Sequence, residues 1–312
     1  MSNTVNQSNQ KRSIRSFFIE KILFLSRAKK QLAKQSDESF STLLQNMQEK
    51  SDKPYPNPQK WVKMPVTETS YDGMQTFIWN DKNDANQRVI FYLHGGAYAL
   101  QPSSLNFKTA AYISKELDAK VVFPIYPKAP RYNWTDTFPK VETVYKDILR
   151  STSPEKITIM GDSAGGGLSL GLAMYLRDHK LPQPKDIILL SPWLDVHTNH
   201  SDISKYEPLD PMLSSWGLEK IGTIWAGDEE NRSIPYVSPL FGDFTNLGKI
   251  SIFIGTHEIF FPDNQSFHEL LVKKGIDHNY IVADKMNHGY PIFPIPEAKE
   301  AQKEMIEIIR ER

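Results

Sequence analysis

The chain of 312 residues carries 37 Lys plus Arg against 37 Asp plus Glu, with eight His and no Cys, so its formal net charge is zero. A balanced count argues against nucleic acid as the main partner, because displacing counterions from phosphate needs a surplus of cations. Without Cys there is no disulfide framework, thiolate nucleophile or zinc-thiolate site, and nothing calls for an oxidising compartment.

Residues 1–10, MSNTVNQSNQ, are polar throughout and are expected to be disordered. Ile14, Phe17, Phe18, Ile22 and Leu25 then recur at helical spacing, which predicts an amphipathic helix. The apolar run at 17–25 is interrupted by Glu20 and Lys21 and falls short of the roughly 18 residues that span a bilayer. No A-x-A-like cleavage site accompanies it, so a signal peptide is not expected and the protein is placed in the cytoplasm. Eight cations fall within residues 11–34, opposed only by Glu20. Residues 1–60 hold 11 cations against 5 acids, which leaves 26 against 32 in the remaining 252 residues. A basic amphipathic helix of this kind fits either contact with an anionic membrane surface or packing of its apolar face on the acidic body. A second helix is predicted over 39–50, and the three prolines of DKPYPNPQ end it. This stretch divides an N-terminal helical segment, 1–59, from a body at 60–312.

In the body, short β-rich runs alternate with helical patterns, the pattern of a mostly parallel sheet covered on both faces. Strands are predicted at 88–93, 119–125, 156–160, 186–190, 250–254 and 278–283, several of them continuously apolar as buried parallel strands are. Helices are predicted near 107–117, 136–150, 165–179, 263–274 and 297–311. An insertion at about 195–249, with its own helical stretch SSWGLEKIGTIWAG, separates two strands that a short crossover would ordinarily join.

The sharpest motif is GDSAG at 161–165, directly after the strand KITIM and before an apolar helical run. In a G-x-S-x-G nucleophile elbow the turn is so tight that Gly161 and Gly165 must lack side chains, and Ser163 projects its Oγ above the sheet. HGGAY at 94–98 follows another strand; its adjacent glycines let backbone N–H groups of Gly95 and Gly96, with that of Ala164, face a developing oxyanion. His94 reads as a structural anchor of that loop. His288, in MNHGY after the last strand, is the candidate general base, and His257 is the other histidine just past a strand end. For the acid, Glu258 sits where a strand-end carboxylate reaches the far ring nitrogen of His288. Asp263 is the runner-up and suits a helix N-cap, with Asp284 third. Asp195, His197, His200 and Asp202 in DVHTNHSD could suggest a metal, but the spacing is not that of a helical H-E-x-x-H site, no third ligand is evident, and polar loop residues explain them. No phosphate-binding or dinucleotide fingerprint is present.

These residues resemble the hormone-sensitive-lipase-like branch of the α/β-hydrolase superfamily, esterases with an HGG oxyanion motif and a GDSAGG elbow. The resemblance extends to YPKAPRYNWTDTFPK at 126–140, SPWLDV at 191–196, DPMLS at 210–214 and VSPLFGDF at 237–244, from about residue 60 to the end. It implies an eight-stranded, mostly parallel sheet, a helical cap built from the N-terminal segment and the 195–249 insertion, and cofactor-free hydrolysis of small-molecule carboxylic esters of short or medium acyl chain. It also favours packing of the N-terminal helix on the body over a membrane role. Two departures stand out: Glu258 where Asp is commoner, and Arg131 where an acidic residue is usual. An amidase or peptidase with the same triad, or a receptor on the same fold that does not catalyse, are the other readings. Trp216, Trp225, Phe17, Phe18 and Phe24 are candidates for lining the substrate pocket, and oligomeric state is left open.

Overall fold

A computed structural model describes residues 4–8, 12–26 and 28–311. Among these residues nine strands form one sheet: β1 (Thr4–Ser8), β2 (Val66–Tyr71), β3 (Met74–Trp79), β4 (Val89–Leu93), β5 (Lys120–Pro124), β6 (Ile157–Asp162), β7 (Asp186–Leu190), β8 (Lys249–His257) and β9 (His278–Asn287). Their order is β1-β9-β8-β7-β6-β4-β5-β3-β2. The β2–β3 and β3–β5 pairs are antiparallel and every other pair is parallel. Strands β2 to β9 are the expected eight-stranded, mostly parallel sheet.

The ninth strand corrects the expectation of disorder at the N-terminus. Thr4–Ser8 pairs in parallel with Asn279–Ala283 along the open edge of β9. Pairing runs through main-chain N–H and C=O groups, so a polar segment satisfies an open edge as well as an apolar one. The β2–β3 hairpin was also not among the predicted strands. It turns on Asp72 and Gly73, both at positive φ, and an Asp-Gly pair between β-rich runs is a hairpin signal in the sequence.

The helices are α1 (Ile14–Leu25), α2 (Ala28–Leu32), α3 (Asp37–Ser51), α4 (Gln59–Val62), α5 (Ser104–Leu117), α6 (Trp134–Ser151), α7 (Ala164–Asp178), α8 (Ile203–Tyr206), α9 (Ser215–Ala226), α10 (Phe261–Lys273) and α11 (Pro296–Arg310). Side chains of β4 alternate between two cores: Val89, Phe91 and Leu93 pack with α6 and α7, while Ile90 and Tyr92 pack with α5 and α11. Burial on both sides is why this strand reads as an unbroken apolar run. A third cluster joins Leu170, Ala173 and Met174 of α7 to Phe267 and Leu271 of α10. The 195–249 insertion carries α8 and α9, and the N-terminal helices meet it. Phe40 of α3 packs edge-on against Trp216 at 5.2 Å. A Cβ on Gly217 would lie 2.4 Å from the Leu32 carbonyl oxygen. Among the described residues no helix is long and apolar enough to cross a membrane.

Helix α1 forms where its spacing predicts, but the face it lays on the body is the polar one. Ser16 and Glu20 are 1% and 4% exposed, whereas Ile14, Phe18, Ile22 and Leu25 are 77%, 59%, 62% and 80% exposed. Glu297 of α11 accepts hydrogen bonds from Ser13 N (2.6 Å) and from the Ser13 and Ser16 hydroxyls (both 3.0 Å). Glu20 bridges Arg12 Nη2 and His257 Nδ1, each at 2.6 Å. Burial pushes the Glu20 carboxyl up, but the His257 and Arg12 bonds outweigh it and hold the group below the usual carboxylate value. Helical spacing of apolar residues identifies an apolar face without saying which way it points. The polar stripe Arg12, Ser16, Glu20, four residues apart, decides the orientation.

Removing one partner of this network exposes its importance. Glu20→Ala is expected to cost about 2 kcal/mol of local stability by leaving Arg12 and His257 without their carboxylate. Hydrogen exchange should then quicken in residues 12–26 while the protection of β4, β6 and β7 is retained; unchanged exchange in α1 would contradict the pinning.

Candidate active site

Strand β6 runs into a turn at which Ser163 takes φ 55° and ψ −124°, and α7 begins at the next residue. Only glycine fits around it: a Cβ on Gly161 would lie 2.2 Å from the Gly165 carbonyl oxygen, and one on Gly165 would lie 2.1 Å from that of Leu93. The turn is tied to the sheet by Ser163 N donating to Leu190 O (2.8 Å). A non-glycine residue held in this region stores strain that the surrounding contacts must offset.

Strands β8 and β9 extend past their predicted ends, to His257 and Asn287, and so deliver Glu258 and His288 directly from the sheet. His288 Nε2 lies 2.9 Å from Ser163 Oγ, and His288 Nδ1 lies 2.8 Å from Glu258 Oε2. Glu258 Oε1 accepts from Ser191 Oγ (2.8 Å) and Gly255 N (2.9 Å). Ser191 Oγ in turn accepts from Gly289 N (3.0 Å), so one hydroxyl joins the carboxylate to the histidine loop. Burial disfavours a charged His288, but the Glu258 charge and hydrogen bond, with the Asp210 and Asp162 carboxylates, outweigh it and raise its pKa above the ordinary histidine value. The arrangement can therefore take a proton from Ser163 and hold it as an imidazolium.

The remaining candidates are placed elsewhere. Asp263 is not an N-cap, a position held by Phe260, but lies in the first turn of α10. Burial, together with the nearby Asp195 charge, pushes Asp263 up to about 8. Asp284 accepts from Thr256 Oγ1 at 3.2 Å, and His257 is committed to Glu20. Asp195 accepts from His197 N and holds its ring, and His200 Nδ1 accepts from Asp202 N; these are contacts within one loop. Trp225 is buried and stacks on Tyr98 at 4.1 Å, Trp216 packs on Phe40, and Phe17, Phe18 and Phe24 are exposed.

The HGG loop is fixed by a carboxylate that sequence reasoning did not single out. Asp162, the residue before the nucleophile, accepts from Tyr92 Oη (2.9 Å), Asn106 Nδ2 (2.8 Å) and Gly95 N (3.1 Å). This corrects the assignment of Gly95 to the oxyanion site, because its N–H is already spent on Asp162. The N–H of Ala164 opens α7 and has no acceptor within the helix, and Gly96, at φ 124°, follows in the loop. His94 is structural, as expected. Its Nδ1 lies 2.7 Å from Gly95 O, its ring stacks on Tyr126 at 4.4 Å, and burial, with Lys128 nearby, holds its pKa well below the usual value. Two further residues went unnoticed. Ser191 is the first residue of SPWLDV, and Asp210 the first of DPMLS. Asp210 is fully buried, is pushed up to about 6 by burial, and accepts from Met212 N, Leu213 N and Ile259 N. It ties the insertion to the segment carrying Glu258.

Arg131 also finds a partner, Asp52 at the end of α3, at 3.3 Å. Both line a cleft of about 700 Å³ between α3, the β2–β3 hairpin and residues 125–132. None of Ser163, Glu258 and His288 lines it, so the cleft is separate from the chemistry above.

A model of the alpha/beta hydrolase fold family matches residues 90–292. The chain is 27% identical over 223 residues to an esterase of Acinetobacter venetianus, covering 70% of this chain and 74% of that protein. It is 34% identical over 173 residues to a candidate acetyl-hydrolase of Mycobacterium tuberculosis, covering 53% of this chain and 54% of the relative. A solved structure of a candidate esterase from Staphylococcus aureus is similar with a TM-score of 0.85 at 28% identity, over 92% of this chain and 96% of that one. The matched span contains the HGG loop, the elbow and both Glu258 and His288, and the chain belongs to the alpha/beta hydrolase family.

Proposed function

We propose that the protein is a serine esterase of the hormone-sensitive-lipase-like branch, with Ser163 as nucleophile, His288 as general base and acid, and Glu258 as the carboxylate that orients it. The observation that carries this reading is the unbroken hydrogen-bonded chain from Ser163 Oγ through His288 to Glu258, at 2.9 and 2.8 Å, at the head of a strained elbow. The esterase names of the relatives and the HGG and GDSAGG motifs point the same way.

Ser163 Oγ attacks the ester carbonyl carbon as its proton passes to His288 Nε2. The carbonyl oxygen becomes negative against the N–H groups of Gly96, Ala97 and Ala164, Ala97 replacing Gly95 as the third donor because it follows Gly96 at positive φ (51°). Collapse breaks the bond to the alkoxy group, which leaves as alcohol with the proton from His288. Water, deprotonated by the same nitrogen, then attacks the acyl-enzyme, and the carboxylic acid departs with Ser163 restored. Residues 28–51 and the 195–249 insertion serve as a cap over this site, a role supported by the contacts of Leu32 and Phe40 with α9.

Ser163→Ala is expected to lower kcat on p-nitrophenyl acetate by about 10,000-fold or more and to abolish labelling by a fluorophosphonate, with folding unchanged. A variant as active as the parent would sink the assignment. Matched p-nitrophenyl esters and p-nitroanilides should show ester preference, with acetate to hexanoate favoured over long chains.

The pH profile follows from the raised His288 pKa. Only neutral His288 accepts the proton, so kcat/KM falls as pH drops through a value above that of ordinary histidine. Glu258→Gln should shift this limb to lower pH as well as reduce the rate; an unshifted limb would argue against Glu258 as the source. Ser191→Ala should lower kcat about tenfold with KM little changed, because Glu258 and Gly289 N lose a shared partner. A KM effect without a kcat effect would assign Ser191 to substrate binding instead.

A further inference from the structure

Helix α1 presents a surface that the fold itself does not use. Ile14, Phe18, Ile22 and Leu25 form one ridge along its outer side, flanked by Phe17 and Phe24, and all six are exposed. Apolar residues scattered singly over a surface are ordinary, whereas six on one helix of 12 residues make a continuous patch. The only acid in the helix, Glu20, is turned inward. Arg15 and Lys21 stand exposed beside the ridge, followed by Lys30 and Lys34, and among the described residues none of the four forms an ion pair. Lys21 Nζ lies 5.3 and 5.7 Å from the ring centres of Phe17 and Phe24, so its stem lies among the apolar side chains and its charge stands over the two rings.

We propose that α1 is an interfacial helix, which seats its apolar ridge among the headgroups of an anionic bilayer with Arg15 and Lys21 on the lipid phosphates. The charge names the occupant: a face that is apolar and cationic is covered by something apolar and anionic. A second copy of the chain does not meet that requirement. A two-fold contact through α1 sets the ridge against itself and gathers Arg15 and Lys21 of both copies along one seam with no acid between them. Glu20 meets His257, the residue before Glu258, so docking brings the end of the sheet that carries Glu258 and His288 to the lipid surface. The docking stands whether the substrate is an ester or an amide.

Vesicle flotation of the full chain tests this, with vesicles of phosphatidylcholine mixed with phosphatidylglycerol and of phosphatidylcholine alone. The chain should float with the mixed vesicles and be released by high salt. The triple variant Phe18→Ser, Ile22→Ser, Leu25→Ser should bind about tenfold less, since burial of apolar area supplies the affinity. Arg15→Glu with Lys21→Glu should abolish the preference for anionic vesicles. Both variants alter exposed residues and should hydrolyse soluble p-nitrophenyl acetate as the parent does. The proposal is overturned if the parent chain does not float with mixed vesicles, or if the charge variant binds them as well as the parent. It is equally overturned if light scattering shows a dimer that the ridge substitutions dissociate and no vesicle binding occurs.

Discussion

A carboxylate without exposed surface holds the site together. Burying Glu258 is unfavourable unless its oxygens find donors, and they find three: Ser191 Oγ, Gly255 N and His288 Nδ1. Each donor comes from the C-terminal end of a different strand, or the residue just past it: β7, β8 and β9, which are neighbours in the sheet. The strand order thus brings the three together without help from a flexible loop. Asp210 extends the arrangement outward, since its carboxylate accepts from Ile259 N one residue beyond Glu258 and from two N–H groups of the insertion. The insertion is therefore fastened to the segment that bears the acid.

A second buried carboxylate does the corresponding work on the other side of Ser163. Asp162 draws in Tyr92 from β4, Asn106 from α5 and the Gly95 N–H from the HGG loop, so the loop and the elbow share one anchor. Burial raises the Asp162 pKa against these bonds and against the attraction of His288. Asp162, Asp210 and Glu258 all favour positive charge on His288, the state in which the proposed proton transfer from Ser163 leaves it.

The sheet and the elbow were legible in the sequence because each rests on a local rule. Parallel strands buried on both faces read as apolar runs, and GDSAG needs two glycines for a turn whose geometry permits nothing else. Glu258 and His288 were legible through their places past strand ends. The supports were harder to see. Asp162 stood inside the quoted motif, yet its three partners lie 56 to 70 residues away, and no spacing rule connects them. Ser191 and Asp210 likewise act through contacts that exist only once β7, β8 and β9 are aligned. Gly95 was misassigned for the same reason, since the competitor for its N–H is a side chain 67 residues distant.

The neutral total charge conceals a segregation that the contacts explain. Of the cations in residues 11–34, Arg12 is spent inside, on Glu20, and Lys29 is held by the carbonyl oxygens of Glu207 and Asp210. Glu20 and Glu297, the two acids that fasten α1, are satisfied by Arg12, His257, Ser13 and Ser16. Among the described residues, Arg15, Lys21, Lys30 and Lys34 form no ion pair with the acidic body, and Ile14, Phe17, Phe18, Ile22, Phe24 and Leu25 stay outside its core while Ile19 packs against it. Had attraction between the basic segment and the acidic body oriented this helix, Arg15 and Lys21 would face inward and the aromatic residues would cover them. The opposite arrangement follows because a buried glutamate held by Arg12 and His257 outcompetes an apolar stripe that finds no groove to enter.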